Sequence, residues 1–94
     1  MECDRLLFSG HAIRRMQERQ IGFQDVLSVV QQGETVLEWI DEGEPSRLVL
    51  GFPRGRPLHV VLALRPAQAT CLVVTIYEPD PGEWTPDFRR KVRQ

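Results

Sequence analysis

The apolar residues of this chain change period once, at Gly33, and that change limits the folds open to it. Before it, Phe23, Val26, Leu27 and Val30 recur at three- and four-residue spacing, which is one face of a helix. After it, Leu58, Val60, Leu62 and Leu64 fall on every second residue, as do Leu72, Val74 and Ile76. That is the period of a strand with one buried face. Helices first and strands after specify an α+β chain. The 94 residues suffice for one core and not two, so one domain over 1–94 is expected.

Local signals set the boundaries. Ser9 has the side chain of an N-cap and Phe8 stands before it as a staple, predicting a helix from Gly10 to Arg19 with Ala12, Ile13 and Met16 as apolar contacts. A second helix is predicted over Phe23–Gln32, started weakly by Gly22 and ended by Gly33 as its C′ residue. Strands are predicted at Thr35–Asp41, Arg47–Phe52, Leu58–Leu64 and Cys71–Glu78. The acidic turn 42–45, the loop 53–57 and the short link 66–69 join them. Short links favour antiparallel neighbours. Thr85-Pro86 reads as a helix start, predicting a last helix through Val92. The expected fold is two N-terminal helices packed on a four-stranded antiparallel meander with a short C-terminal helix, ααββββα.

Alternation assigns the faces of that sheet. The helices are expected to cover Leu58, Val60, Leu62 and Leu64, then Leu72, Val74 and Ile76, then Leu48, Leu50 and Phe52. The opposite face then carries Arg47, His59, Thr75 and Tyr77 among Val49, Val61 and Val73, a mixture suited to a shallow binding surface or an oligomer contact. Trp39 and Trp84 are expected to pack, with Trp84 pinning the C-terminal segment.

Other classes are disfavoured. No apolar run reaches the roughly 20 residues of a membrane span, and the polar residues 2–5 lack the apolar stretch of a secretion signal. A cytoplasmic location without a membrane partner is therefore expected, with Cys3 and Cys71 as free thiols. Together with His11 and His59 these cysteines have no ligand-pair spacing, so no metal and no cofactor are expected. The formal charge of −1 conceals a segregation. Residues 34–44 carry five acids and no base, residues 45–76 four arginines and no acid, and the tail holds Arg89, Arg90, Lys91 and Arg93. A basic cleft follows if helix 1, those arginines and the tail converge.

Helix 1 carries the densest chemistry. At about 100° per residue, His11, Arg15 and Arg19 share one narrow stripe. One imidazole and two permanent cations suit a phosphate or carboxylate group. A metal-free ribonuclease needs a base for the ribose 2′-OH, an acid for the leaving oxygen and cations around the phosphate. His11 has the chemistry for the first or second role, and Arg15 and Arg19 for holding the phosphate. Tyr77 and Thr75 share a face of the last strand, where a tyrosine stacks on a base or donates to a phosphate. The plain structural alternatives are helix-surface pairs of Arg14 or Arg15 with Glu18, cross-strand packing of Thr75 and Tyr77, and a hydrogen-bonded strand His59.

The combination Phe8-Ser9-x-His11-Ala12-x-x-Arg15-Met16-x-x-Arg19-x-Ile21, with Val26, Gly33, Leu58-His59-Val60-Val61 and Thr75-x-Tyr77-x-Pro79, resembles a bacterial family, domain of unknown function 4258. The likeness spans nearly the whole chain, and the helix-1 motif is its specific part. Such domains in turn resemble small RelE- and BrnT-type ribonuclease toxins, which pair two helices with an antiparallel sheet. That resemblance implies metal-independent RNA cleavage, with RNA and a cognate antitoxin protein as partners. With the side-chain chemistry read above, the candidate catalytic residues are His11, Arg15 and Tyr77, and the candidate nucleic-acid contacts are Arg19, His59, Thr75, Arg89 and Arg90. The alternative is a non-enzymatic protein-interaction module, or a homodimer, formed through the exposed sheet face.

Overall fold

The structure is a computed structural model that describes residues 3–92; Arg93 of the expected basic tail lies outside the described residues. Its elements are β1 (Arg5–Phe8), α1 (Gly10–Arg19), α2 (Phe23–Gln32), β2 (Glu34–Asp41), β3 (Glu44–Gly51), β4 (Leu58–Arg65) and β5 (Thr70–Tyr77). The sheet has five strands in the order β1-β5-β4-β3-β2. This overturns the expected meander with a C-terminal helix. β1 lies parallel to β5, with Leu6 level with Cys71 and Phe8 with Val73, so the sheet is mixed. A four-residue strand is too short for alternation to announce it, and Phe8, expected only as a staple, is its last residue.

The two helices follow from their caps. Ser9 Oγ accepts from the Ala12 N–H at 3.0 Å and donates to the Val74 carbonyl at 2.8 Å, so one hydroxyl both starts α1 and ties it to β5. Gln20 in the left-handed region ends α1. Gly33 ends α2 for a different reason than a C′ glycine. Its backbone is extended, and a β-carbon there would run into the Val29 carbonyl and lie 2.7 Å from the Leu50 carbonyl. The need is space, not a positive φ.

One face of the sheet makes the core. Val49, Leu58, Val60, Leu62, Leu64, Cys71, Val73 and Ile76 are buried against Ala12, Val26, Val29 and Val30. α1 packs on β5, and α2 on β3 and β4. The expected β4 row is the one found, but the other two rows differ. Val49 pairs with Val60 and Ile76 toward the helices, which sends Leu48 and Leu50 to the other face. A register shift opposite Val61 and Leu62 makes Cys71 and Val73, not Leu72 and Val74, the inward residues of β5. β2 and β3 meet at a two-residue turn in which Glu42 (φ 50°) and Gly43 (φ 83°) are both left-handed, the geometry of a type I′ hairpin.

The segment after β5 is not a helix. It doubles back so that Trp84 pairs with Lys91; the Thr85 N–H donates to the Arg90 carbonyl at 2.8 Å and the Val92 N–H to Glu83 at 2.9 Å. Thr85 spends its hydroxyl on Asp87, and Phe88 sits at φ 61°, which a helix does not admit. The gain is burial of Trp84 on the second face of the sheet.

Cys3 and Cys71 form a disulfide, against the expectation of free thiols. The pairing of Leu6 with Cys71 in β1 and β5 brings the two cysteines to a Cα separation of 5.4 Å, inside the range such a bond spans. Without β1 in view, their separation along the chain concealed this.

Candidate functional site

α1 displays the cationic stripe as the sequence suggests. His11 and Arg19 are exposed and Arg15 is half-buried. None of the three has an ion pair or side-chain hydrogen bond among the described residues. Glu18, the expected structural partner of Arg14 or Arg15, pairs with neither.

The stripe runs into a cleft. Arg19, Gln20 and Ile21 from the α1–α2 turn and Asp25 of α2 meet Arg54, Arg56 and Pro57 of the β3–β4 loop and Glu78 after β5. Arg54 lies 3.5 Å from Asp25, and Arg56 is hydrogen-bonded to Glu78. Three guanidinium groups against two carboxylates leave one positive charge, and Arg19 is the unpaired member. The cavity is about 60 Å³; at roughly 10–15 Å³ per water position, that is room for an anion of phosphate size. Half of the convergence foreseen for the arginines of 45–76 is therefore realised, by Arg54 and Arg56. Arg47 and Arg65 instead pair with Glu38 and Glu44, each at 3.1 Å.

The remaining candidates lie elsewhere. His59 and Tyr77 are register partners beside Leu50 on the face turned away from the helices. The sheet thus separates Tyr77 from His11 and Arg15. His59 is wholly buried between two rings, edge-on to Tyr77 at 5.2 Å and to Trp84 at 4.5 Å between centroids. Its Nε2 lies 2.9 Å from the Phe88 carbonyl and its Nδ1 3.2 Å from the Tyr77 hydroxyl. Burial lowers the His59 pKa, with the bond to Phe88 working against it. Burial, and secondarily the charge of Glu83, raises that of Tyr77. Thr75, half-buried, is level with Val61 and Leu48 on the same face. Trp84 does pin the C-terminal segment; Trp39, by contrast, is 38% exposed on an edge strand rather than packed.

Arg89 is held by Glu34, with Nε 3.0 Å from both carboxylate oxygens and Nη2 2.6 Å from one. That hydrogen bonding keeps the Glu34 carboxyl below its ordinary range. Arg90 is exposed, but its main chain closes the terminal turn. Among the described residues no group of three His, Cys, Asp or Glu side chains is arranged to hold a metal ion. The residues missed individually are Arg54 and Arg56; the Pro/Gly-rich loop that carries them was visible, its docking against α1 was not.

A family model described as a domain of unknown function, DUF4258, matches residues 8–78. No curated protein and no solved structure matches the chain.

Proposed function

We propose, for a chain that belongs to the DUF4258 family, that it binds RNA through the phosphates, along the His11–Arg15–Arg19 stripe and into the cleft beyond it. The observation that carries this reading is that the three stripe residues have no ion pair among the described residues while Arg19 opens onto Arg54 and Arg56. Eight residues of helix span about 12 Å, enough for a short run of phosphates. Guanidinium forks suit phosphate oxygens better than point charges do. RNA is preferred over DNA because an imidazole beside a phosphate has chemistry to do only where a 2′-OH is present. His11 takes that proton, the 2′-oxygen attacks phosphorus, and the bond to the 5′-oxygen breaks, giving a cyclic phosphate and a 5′-hydroxyl whose proton comes from water. No metal enters the step. Tyr77, His59 and Thr75 have no part in it, and Arg89 is already engaged.

The test uses a labelled single-stranded RNA in excess chelator, with the same DNA sequence as control. Phosphate contacts from the two unpaired arginines give a salt slope of about −1.4, and Arg19→Ala reduces its magnitude by about 0.7. Arg15→Lys restores only part of what Arg15→Ala loses. His11→Ala leaves binding in place and slows cleavage by roughly two to four orders of magnitude. RNA binding that ignores both Arg15→Ala and Arg19→Ala ends the proposal, and binding without cleavage removes the role of His11.

A further inference from the structure

β2 ends the sheet and pairs only with β3, so alternate residues along Glu34–Asp41 turn their N–H and C=O groups away without a ladder partner. Proteins blunt such edges with short strands, proline, lysine, bulges or a covering element. β2 has eight residues and neither proline nor lysine, and its one irregularity, between Thr35 and Leu37, leaves Leu37–Asp41 in regular register. It exposes Leu37 at 46%, Trp39 at 38% and Ile40 at 69%. Register sets Leu37, Trp39 and Asp41 on one face, level with Leu48, Ser46 and Glu44, and Glu38 and Ile40 on the other. The row of Leu37 continues through Leu48 of β3 and Val61 of β4, so an added strand would extend an apolar row and not meet an isolated side chain.

Charge selects the occupant. Of the five acids in residues 34–44, Glu34, Glu38 and Glu44 are matched by Arg89, Arg47 and Arg65. Asp41 and Glu42, at the hairpin tip, have no ion pair among the described residues. A second copy supplies no cation, since residues 34–44 hold no base. Antiparallel pairing of β2 with itself about Glu38 opposes Glu38 to Glu38 and Glu34 to Glu42, and pairing about Leu37 or Trp39 leaves Asp41 and Glu42 opposite uncharged residues. Like charges directly opposite destabilise a strand pair.

We propose that β2 is a docking edge for an extended basic segment of a partner protein. The segment adds to the sheet beside β2, lays apolar side chains against Leu37 and Trp39, and sets lysine or arginine beside Asp41 and Glu42. Main-chain hydrogen bonds supply affinity, and basic residues at the end of the segment that meets Asp41 and Glu42 supply selectivity.

A labelled synthetic peptide with valine at alternate positions of its middle and two adjacent arginines at each end, and its twin with glutamate for arginine, are titrated against the full chain by fluorescence anisotropy. The basic peptide binds, and the acidic twin binds at least about tenfold more weakly. Asp41→Lys with Glu42→Lys costs the basic peptide about tenfold at an unchanged urea midpoint. If that double reversal does not fold, Asp41→Asn with Glu42→Gln makes the same test with an expected loss of about threefold. Hydrogen exchange on binding slows at alternate amides of residues 34–41. Equal affinity for the two peptides, protection elsewhere, or no binding by either overturns the proposal. So does a dimer, seen by sedimentation, that the basic peptide fails to dissociate, since a second copy would then be the occupant.

Discussion

Replacing His59 with leucine asks how much one imidazole does to hold the C-terminal segment on the sheet. A carbonyl oxygen only accepts, so Nε2 of His59 carries the proton toward Phe88 and Nδ1 accepts from the Tyr77 hydroxyl. The neutral ring satisfies both contacts at once. Leucine matches the volume approximately and removes both bonds, each with a net contribution of about 1 kcal/mol. Leaving the Phe88 carbonyl and the Tyr77 hydroxyl short of partners adds about another 1 kcal/mol, for a total near 3 kcal/mol. In a domain of this size that is a large fraction of a stability of about 5–10 kcal/mol. The pH dependence isolates the residue. Burial depresses the His59 pKa in the folded state, so the unfolded chain takes up this proton first as the pH drops. Stability from this group is complete above the unfolded pKa of about 6.5. It falls through the interval down to the folded pKa, with a slope of up to about 1.4 kcal/mol per pH unit. His11 is present in both proteins and cancels in the difference. Urea denaturation followed by tryptophan fluorescence, from about pH 8 to about pH 5, should therefore show the gap between wild type and His59→Leu narrowing as the pH falls. A constant or widening gap refutes the argument, as does a variant as stable as wild type at neutral pH.

Reduction of the Cys3–Cys71 bond frees a span of 68 residues. Chain entropy then predicts a loss of about 4 kcal/mol, read as a lower urea midpoint in reductant; an unmoved midpoint would show that the bond constrains nothing. Ser9→Ala removes the cap of α1 and its tie to the Val74 carbonyl together. A cost of about 1–2 kcal/mol is expected by denaturation, and no cost would place the start of α1 elsewhere. Gly33→Ala drives a β-carbon into the Val29 carbonyl and toward Leu50. Calorimetry should find it destabilised by about 1–3 kcal/mol, whereas a neutral result would mean that the end of α2 yields easily.

What was legible in the sequence was local. Ser9 and the spacing of Val26, Leu27 and Val30 mark helices because caps and helix faces are written within a few residues. The row Leu58 to Leu64 marks β4 in the same way. β1 was hidden because four residues carry too little pattern, and its partner β5 is a parallel strand far along the chain. The faces of β3 and β5 were misassigned because side-chain direction depends on register, which the shifts at Thr35/Leu37 and Val61/Leu62 reset. Thr85-Pro86 has the letters of a helix start; burial of Trp84 against His59 outweighs them. In the candidate site, the α1 stripe needed only helical spacing. The separation of Tyr77 from His11, the capture of Arg89 by Glu34 and the approach of Arg54 and Arg56 to Arg19 are tertiary facts. No composition or spacing encodes them.

The parallel pairing of β1 with β5 also bears on the order in which the molecule can assemble. The Ser9 hydroxyl finds its carbonyl partner 65 residues further on, at Val74, and α1 packs chiefly on that same strand. During synthesis α2 can dock on β3 and β4 as soon as those strands are made. β1 and the underside of α1 must wait for residues 70–77. Contacts of such long sequence separation slow folding. A nascent chain arrested before β5 would thus hold its first helix and Phe8 uncovered, the state in which a ribosome-associated chaperone would find most to bind.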